Sequence, residues 1–451
     1  YENWVGGLNG DWLVSRQRFF GVPIPVWYPV DEHGEPQWDS PIVPDEAILP
    51  IDPSSDVPAG YTAEQRGQAG GFVGDPDIMD TWATSSLTPQ IAGGWLSDPD
   101  LFSRVFPMDL RPQGQDIIRT WLFSTVVRSH LEHGSLPWTD AGISGWILDP
   151  DRKKMSKSKG NVVTPMGLLE EHGSDAVRYW AASARLGTDA AFEVGQMKIG
   201  RRLAIKVLNA SKFALSFAGQ DDLVLDPALV TEPIDRAMLA GLADVVDRAT
   251  AALEGYDHTK ALEVSETFFW TFCDDYLELV KDRAYGAGAE ASEVTAETLS
   301  ARTGLAIALD TLLRLFAPVL PFATEEVWSW WREGSVHQAA WPTSDSLRTA
   351  AAGTDLSVLT ASGHALATLR KIKSEAKVSM RTPILLAELA VPRASLHAIE
   401  SAMVDLRGAG RVTGELRLDI AADGQGDPAV QGGIVVVRSE LGEAEAKKPR
   451  G

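Results

Sequence analysis

Asp149-Pro150-Asp151-Arg152-Lys153-Lys154-Met155-Ser156-Lys157-Ser158-Lys159-Gly160-Asn161 is the stretch that decides how this chain is read. Lys154 and Lys157 are spaced by Met-Ser, and small hydroxyl residues, Ser156 and Ser158, follow them. Gly160 and Asn161 let the chain turn sharply. Such a loop can bring two ammonium groups and two hydroxyls onto one triphosphate. The plain alternative is a solvated basic turn, since charge runs usually just face water. The flanks bear on that choice. Gly142–Leu148 reads as a short strand leading into the loop, and Val105–Leu110 as a buried strand. Asp116–His130 reads as a helix, with Ile117, Ile118, Trp121, Leu122, Thr125 and Val126 near helical spacing. Strands alternating with helices imply a parallel α/β sheet. Ligands on such sheets bind outside the carboxyl ends of the strands, and the loop at 149–161 falls there.

Further out, residues 1–30 are dense in aromatics, and 31–75 are rich in Pro, Gly and Asp and read as an irregular insertion. From about 196 the pattern turns helical, with candidate helices over 196–217, 234–254, 258–284 and about 299–316. Gly286 stops the third, and Pro318 and Pro321 break the fourth. Thr324 is placed to cap a fifth, with Glu325 and Glu326 in its first turn where the helix dipole favours acid. Helices of these lengths make a bundle. Residues 343–356 read as a polar linker. A small last module follows, with helical stretches near 360–377 and 394–405 and a strand-like run at Gly433–Val437.

The whole chain has 451 residues, which suggests roughly two to four domains. No apolar run reaches about 18 residues, so no membrane-crossing helix is expected. Cys273 is the one cysteine, which excludes an internal disulfide and any Cys-cluster zinc site; no protein-held metal is expected. A cytoplasmic location fits this usage. The net charge of −21 repels nucleic acid at long range, so an RNA partner would need local basic patches. Tyr1 is not an initiator Met, and the chain is expected to begin inside a longer polypeptide.

Four blocks carry a resemblance. They are Asp11–Trp27 (DWLVSRQRFFGVPIPVW), Asp77-Ile78-Met79-Asp80-Thr81-Trp82, Gly114-Gln115-Asp116-Ile117-Ile118-Arg119-Thr120-Trp121, and the lysine loop. Phe272–Lys281 and Phe316–Trp328 add to them. Together they resemble the C-terminal half of the valyl-tRNA synthetases, among the class I aminoacyl-tRNA synthetases. The resemblance implies the C-terminal half of a Rossmann-like catalytic domain over 1–150, with the insertion at 31–75. A signature loop and stem-contact region over 151–195 comes next. A helical-bundle anticodon-binding domain over 196–345 and a linker with a small α/β module over 346–451 complete the chain.

The family's reaction joins an amino-acid carboxylate to the α-phosphate of ATP and releases pyrophosphate. Catalysis of that kind is mainly positioning and charge stabilisation. By resemblance Lys154 and Lys157 contact the triphosphate, Mg²⁺ accompanies the ATP, and Ser156 and Ser158 donate to phosphate or brace the loop. Gly114 and Asp116 are expected at the nucleotide, the carboxylate on the ribose hydroxyls. Asp77 anchors the substrate ammonium. Ile78 and Trp82, four apart on a presumed helical turn, line the side-chain pocket with Phe20 opposite. An apolar residue at 78 favours L-valine over isoleucine. For tRNA(Val), Lys198, Arg202 and Lys206 fall at i, i+4 and i+8 with Arg201 beside them. Arg370, Lys371, Lys373, Lys377 and Arg381 form a second basic stretch. Either set reads equally well as a solvated face.

The family's His-x-Gly-His element is absent from this sequence, as is its editing insertion. A valine pocket rejects threonine by only about a hundredfold without a second sieve. This chain alone is therefore expected to be inactive, with the N-terminal half of the same enzyme as its partner. An isoleucyl- or leucyl-tRNA synthetase, or a non-catalytic tRNA-binding module, is the alternative.

Overall fold

The computed structural model describes residues 2–8, 10–217, 224–286, 294–421 and 431–443, apart from the side chains of Trp4, Lys157 and Gln431. The chain forms two units, Tyr1–Trp146 with Leu186–Asp189, and Ile147–Arg185 with Ala190–Gly451.

The first unit is mixed α/β. Strand β1 (Ser15–Arg16) pairs antiparallel with β4 (Ile78–Met79), and β2 (Trp27–Pro29) with β3 (Phe72–Gly74). The second pair closes the insertion over buried Trp27, Val30 and Phe72. Helix α1 (Thr81–Ser85) follows β4. Helix α2 (Pro99–Val105) precedes β5 (Met108–Gly114), and α3 (Phe123–His133) precedes β6 (Trp138–Ser144). β5 and β6 are parallel, in register from Met108 opposite Trp138 to Gly114 opposite Ser144.

Three local expectations are corrected. The strand expected at Val105–Leu110 begins at Met108. Val105 closes α2, and Phe106 stacks on Phe102 with ring centroids 4.6 Å apart, so those apolar residues serve a helix end. The one buried residue of β5 is polar, Gln113, and the guanidinium of half-buried Arg111 lies 3.9 Å from the Trp121 ring centre. The expected strand Gly142–Leu148 is two strands, β6 and β7 (Ile147–Leu148), because they pair differently: β7 is parallel to β8 (Ala190–Ala191). A Cβ at Gly145, between them, would lie 2.2 Å from the Thr188 carbonyl. The helix expected from Asp116 is regular only from Phe123, after a tight turn at Gln115–Ile117 and a wide one at Ile118–Leu122.

The second unit is a helical bundle with a small α/β module. Besides a short helix at Met166–His172, its helices are α4 (Ser174–Ala182), α5 (Val194–Ala214), α6 (Pro233–Glu254), α7 (His258–Thr271), α8 (Leu277–Ala284), α9 (Ala296–Phe316) and α10 (Pro321–Ser329). α7 runs into α8 through a wide turn at Phe272–Tyr276, and Gly286, at φ +76°, ends the run. Thr324 does not cap α10. That helix starts at Pro321, and the Thr324 hydroxyl donates back to the Leu320 carbonyl at 2.9 Å. The first-turn N–H groups of Phe322 and Ala323 instead donate to Asp175 of α4, at 3.0 and 2.8 Å. A carboxylate distant in sequence thus does the capping.

The 343–356 stretch contains a short helix, α11 (Asp345–Ala350), whose Arg348 pairs with Asp247. Then come α12 (Ser357–Glu375), β9 (Ile384–Val391), α13 (Arg393–Glu400), α14 (Met403–Gly410), β10 (Val412–Ile420) and β11 (Val435–Leu441). β9 is central, parallel to β10 and antiparallel to β11. One core joins bundle and module: Leu239, Phe272, Tyr276 and Phe316 belong to the same buried cluster as Leu366, Leu369, Leu389 and Leu406. Among the described residues no helix is long and apolar enough to cross a membrane.

Candidate functional site

The lysine loop leaves the carboxyl end of β7 in the second unit, as expected of a ligand-binding loop on a parallel sheet. Its two ends are tied by side chains. Buried Asp149 accepts from the Lys153 N–H at 2.7 Å and from the Asn161 amide at 2.8 Å. The Asn161 amide oxygen accepts from the Ser156 N–H at 2.9 Å, and its nitrogen reaches the Lys154 carbonyl at 3.3 Å. The bonds from Asn161 and the Lys153 backbone hold the Asp149 carboxyl below its usual range, keeping it a charged acceptor. Arg152 and Gly160 take left-handed conformations, at φ +61° and +67°. Lys154 is exposed, and the Ser156 and Ser158 hydroxyls lie 3.3 Å apart. The Lys157 side chain lies outside the described residues. The sequence reading took Asn161 as a turn residue and passed over Asp149. The structure shows them as the loop's clasp, and an acid opening the loop with an amide closing it was the available signal.

In the first unit, Gly114 ends β5 and Asp116 stands exposed just beyond it, at the carboxyl end of a parallel strand. A Cβ at Gly114 would sit 2.6 Å from the Asp116 carboxylate, so glycine makes room for that side chain. Asp77 is half-buried, its N–H held by Asp75 at 2.9 Å; Asp75 also accepts from the Tyr28 hydroxyl at 3.0 Å. Burial first, then the bond to Asp75, raises the Tyr28 hydroxyl's pKa and keeps it a donor.

Ile78 and Trp82 do not share a helical turn. Ile78 lies in β4 opposite Arg16, and helix begins only at Thr81, where Asp80 caps it by accepting from the Trp82 N–H at 2.8 Å. The buried Asp80 also takes a 2.8 Å ion pair from Arg16. Ile78 packs on Gly21, where a Cβ would fall 2.2 Å from its Cδ1. Trp82 packs against the cluster of Trp121, Leu122 and Trp138. Phe20 is 90% exposed, beside a fully exposed Phe19.

On α5, Lys198, Arg201 and Arg202 are exposed. Arg201 donates to the Glu171 carbonyl at 2.6 Å, Arg202 lies 5.6 Å from the Trp270 ring centre, and Lys206 pairs with Asp274 at 3.2 Å. In the second basic stretch Lys373 is buried, not solvated. Its ammonium donates to the Met380 and Gly410 carbonyls at 3.0 and 2.9 Å.

Residues 1–193 match the family of tRNA synthetases class I (I, L, M and V), and residues 235–390 match the anticodon-binding domain of tRNA ligase. A valine--tRNA ligase of Thermobifida fusca (strain YX) is 65% identical over 434 residues, covering 93% of this chain and 48% of that protein. A valine--tRNA ligase of Bifidobacterium longum (strain NCC 2705) is 58% identical over 471 residues, covering all of this chain and 52% of its own length. The chain thus spans about half the length of the curated relatives it matches. In the crystal structure of the ternary complex of Agrobacterium radiobacter K84 agnB2 LeuRS-tRNA-LeuAMS, one chain has a similar fold. The TM-score is 0.55 at 22% identity, over 75% of this chain and 43% of that one.

Proposed function

This chain is a homologue of the class I valine--tRNA ligases over about half of their length, and we propose that it contributes the lysine-loop side of an active site that activates L-valine with ATP and charges tRNA(Val). The observation that carries this reading is the loop itself. Asp149 and Asn161 clasp its base, with Lys154 exposed and the Ser156 and Ser158 hydroxyls 3.3 Å apart. Fixed donors aimed at developing charge stabilise a transition state more than mobile ones do.

In the proposed reaction the valine carboxylate attacks the α-phosphorus and the bond to pyrophosphate breaks. Negative charge moves onto the leaving phosphates. Lys154 and Lys157 meet that charge, with Mg²⁺ arriving as part of the ATP substrate. Asp116 takes the ribose hydroxyls, with Gly114 leaving room for its carboxylate. Asp77 receives the valine ammonium, and Ile78 and Trp82 line the side-chain pocket with Phe20 opposite. Lys198, Arg201, Arg202 and Lys206 contact tRNA phosphates. Residues 1–150 serve the catalytic site, 151–195 the loop and stem contact, 196–345 the anticodon arm, and 346–451 extend it. The enzyme works in the cytoplasm, with this chain acting together with the rest of the ligase.

The test is amino-acid-dependent pyrophosphate exchange by the full-length protein, beside the same assay on this chain alone. Valine should support exchange in the first and nothing should in the second. Exchange driven as well by isoleucine or leucine overturns the valine assignment. Exchange by the isolated chain overturns the division of the site.

A further inference from the structure

Two basic stretches far apart in the sequence meet at one residue. Lys206 of α5 places its ammonium 3.2 Å from the Asp274 carboxylate. Arg370 of α12 donates to the Asp274 backbone carbonyl at 3.3 Å and to Glu278 at 3.1 Å. Asp274 lies in the wide turn between α7 and α8, which carries it out of the regular helical path. Trp270, one turn earlier, has the Arg202 guanidinium and the Lys206 ammonium 5.6 and 5.7 Å from its ring centre. Cations from α5 and α12 therefore both reach Asp274, and those of α5 also lie over the Trp270 ring. α5 falls in the interval between the two family matches, whereas α12 lies inside the second.

The pairs involved are exposed. Lys206 and Asp274 keep 35% and 61% of their side-chain surface, and Arg370 keeps 36%. Exposed ion pairs are weak and readily exchanged for a better anion. A phosphodiester carries a full charge and is a good acceptor for a guanidinium. On a chain of net charge −21 a polyanion needs cations gathered locally, and the two carboxylates paired with these, Asp274 and Glu278, raise the cost of binding the wrong anion.

We propose that Lys206 and Arg370, gathered by Asp274, form a single RNA-phosphate-binding cluster joining α5 to α12, in which the Asp274 carboxylate is a built-in competitor that the phosphate displaces. This rests on the tRNA-ligase reading above and adds to it a site and a selectivity device. Lys206 gives up Asp274 when phosphate binds, and Arg370 retains its backbone contact while the edge paired with Glu278 exchanges onto the RNA.

The experiment measures binding of a tRNA(Val) transcript to the full-length protein across a salt series. Lys206→Gln and Arg370→Gln should each weaken binding and lower the slope of log affinity against log salt by about 1. Lys206→Arg and Arg370→Lys should keep most of the slope, and Arg417→Gln, on β10 outside the cluster, should change nothing. Asp274→Asn should tighten binding at about 50 mM salt and steepen the slope, which loss of a merely structural ion pair would not do. Wild-type binding with both glutamine variants unchanged in affinity and slope overturns the cluster alone. Asp274→Asn weakening or leaving binding unchanged overturns the competitor. A wild-type protein indifferent to the transcript overturns the ligase reading and the cluster with it.

Discussion

Replacing Arg283 by Met tests the ionic joint between the bundle and the last module. Arg283 of α8 makes five hydrogen bonds of 2.7–3.0 Å, two to Asp235 of α6, two to Asp405 of α14 and one to the Glu297 carbonyl. Asp235 is fully buried, and Arg283 and Asp405 keep only 9% and 7% of their side-chain surface. Asp235 also accepts from the Tyr276 and Ser300 hydroxyls, at 2.9 and 2.6 Å. Methionine fills similar space but strands two carboxylates in the interior. Breaking a buried pair in this way costs about 3–5 kcal/mol near neutral pH. For a unit of about 300 residues that is a fall in Tm of about 5–8 °C. The pH dependence follows from Asp405. Burial raises its carboxyl above the usual range, and the Arg283 bonds pull it back. Without Arg283 the upward push is unopposed, so the folded variant holds a proton that the unfolded chain releases. Stability from a raised carboxyl is present at low pH and lost as pH rises through the folded value. The variant's deficit should therefore be largest at about pH 7.5 and shrink toward pH 5. Urea unfolding of both proteins at the two pH values, followed by circular dichroism, measures it. A deficit below about 1 kcal/mol at the higher pH, the level of an exposed pair, would refute the reasoning. So would a deficit that widens in acid.

Other expectations concern the site in the full-length protein. Asn161→Ala unclasps the loop and should lower kcat/KM for ATP roughly ten- to a hundredfold with the fold intact, since small misplacements of reacting groups are costly; an unchanged value rejects the clasp. Lys154→Ala should cut the exchange rate by about 10²–10³, the usual effect of one lost transition-state donor, and a mainly KM effect would assign Lys154 to ground-state binding. Gly114→Ala drives a methyl to 2.6 Å from the Asp116 carboxylate, so KM for ATP should rise about tenfold; an unaffected KM removes Asp116 from the nucleotide. Burial pushes the Cys273 thiol up to about 12, so a thiol reagent at about pH 8 should react only after unfolding, and prompt reaction of the folded protein would contradict that burial.

Much of the second unit was legible in the sequence because helical periodicity is a local signal. The helices expected from 196, 234 and 258 begin at Val194, Pro233 and His258. The errors fall where partners far along the chain decide. Thr324 looks like a cap, but Asp175 reaches the first turn before it and leaves the threonine inside the helix. Ile78 and Trp82 have helical spacing, but β1 claims Ile78 as a strand partner and Asp80 starts the helix after it. Lys373 reads as one of a solvated series, yet the carbonyl ends of two chain segments converge on its ammonium. Strand β9 is a short apolar run that fits a buried helix as well as a strand, whereas β10 carries a period-two alternation from Glu415 to Ile420 that was the available signal.

The sequence by itself determined the residues of the lysine loop and the order of α/β region, bundle and module. Residue type and spacing along the chain carry that information directly. Only the tertiary structure decided which charges face solvent, which are locked in the core, and which distant helices share a surface. Asp149 and Asn161 became a clasp, Arg283 a buried joint, and Lys206 and Arg370 neighbours because hydrogen-bond demand and burial are settled between segments. Periodicity along one segment contains no record of where the next will pack.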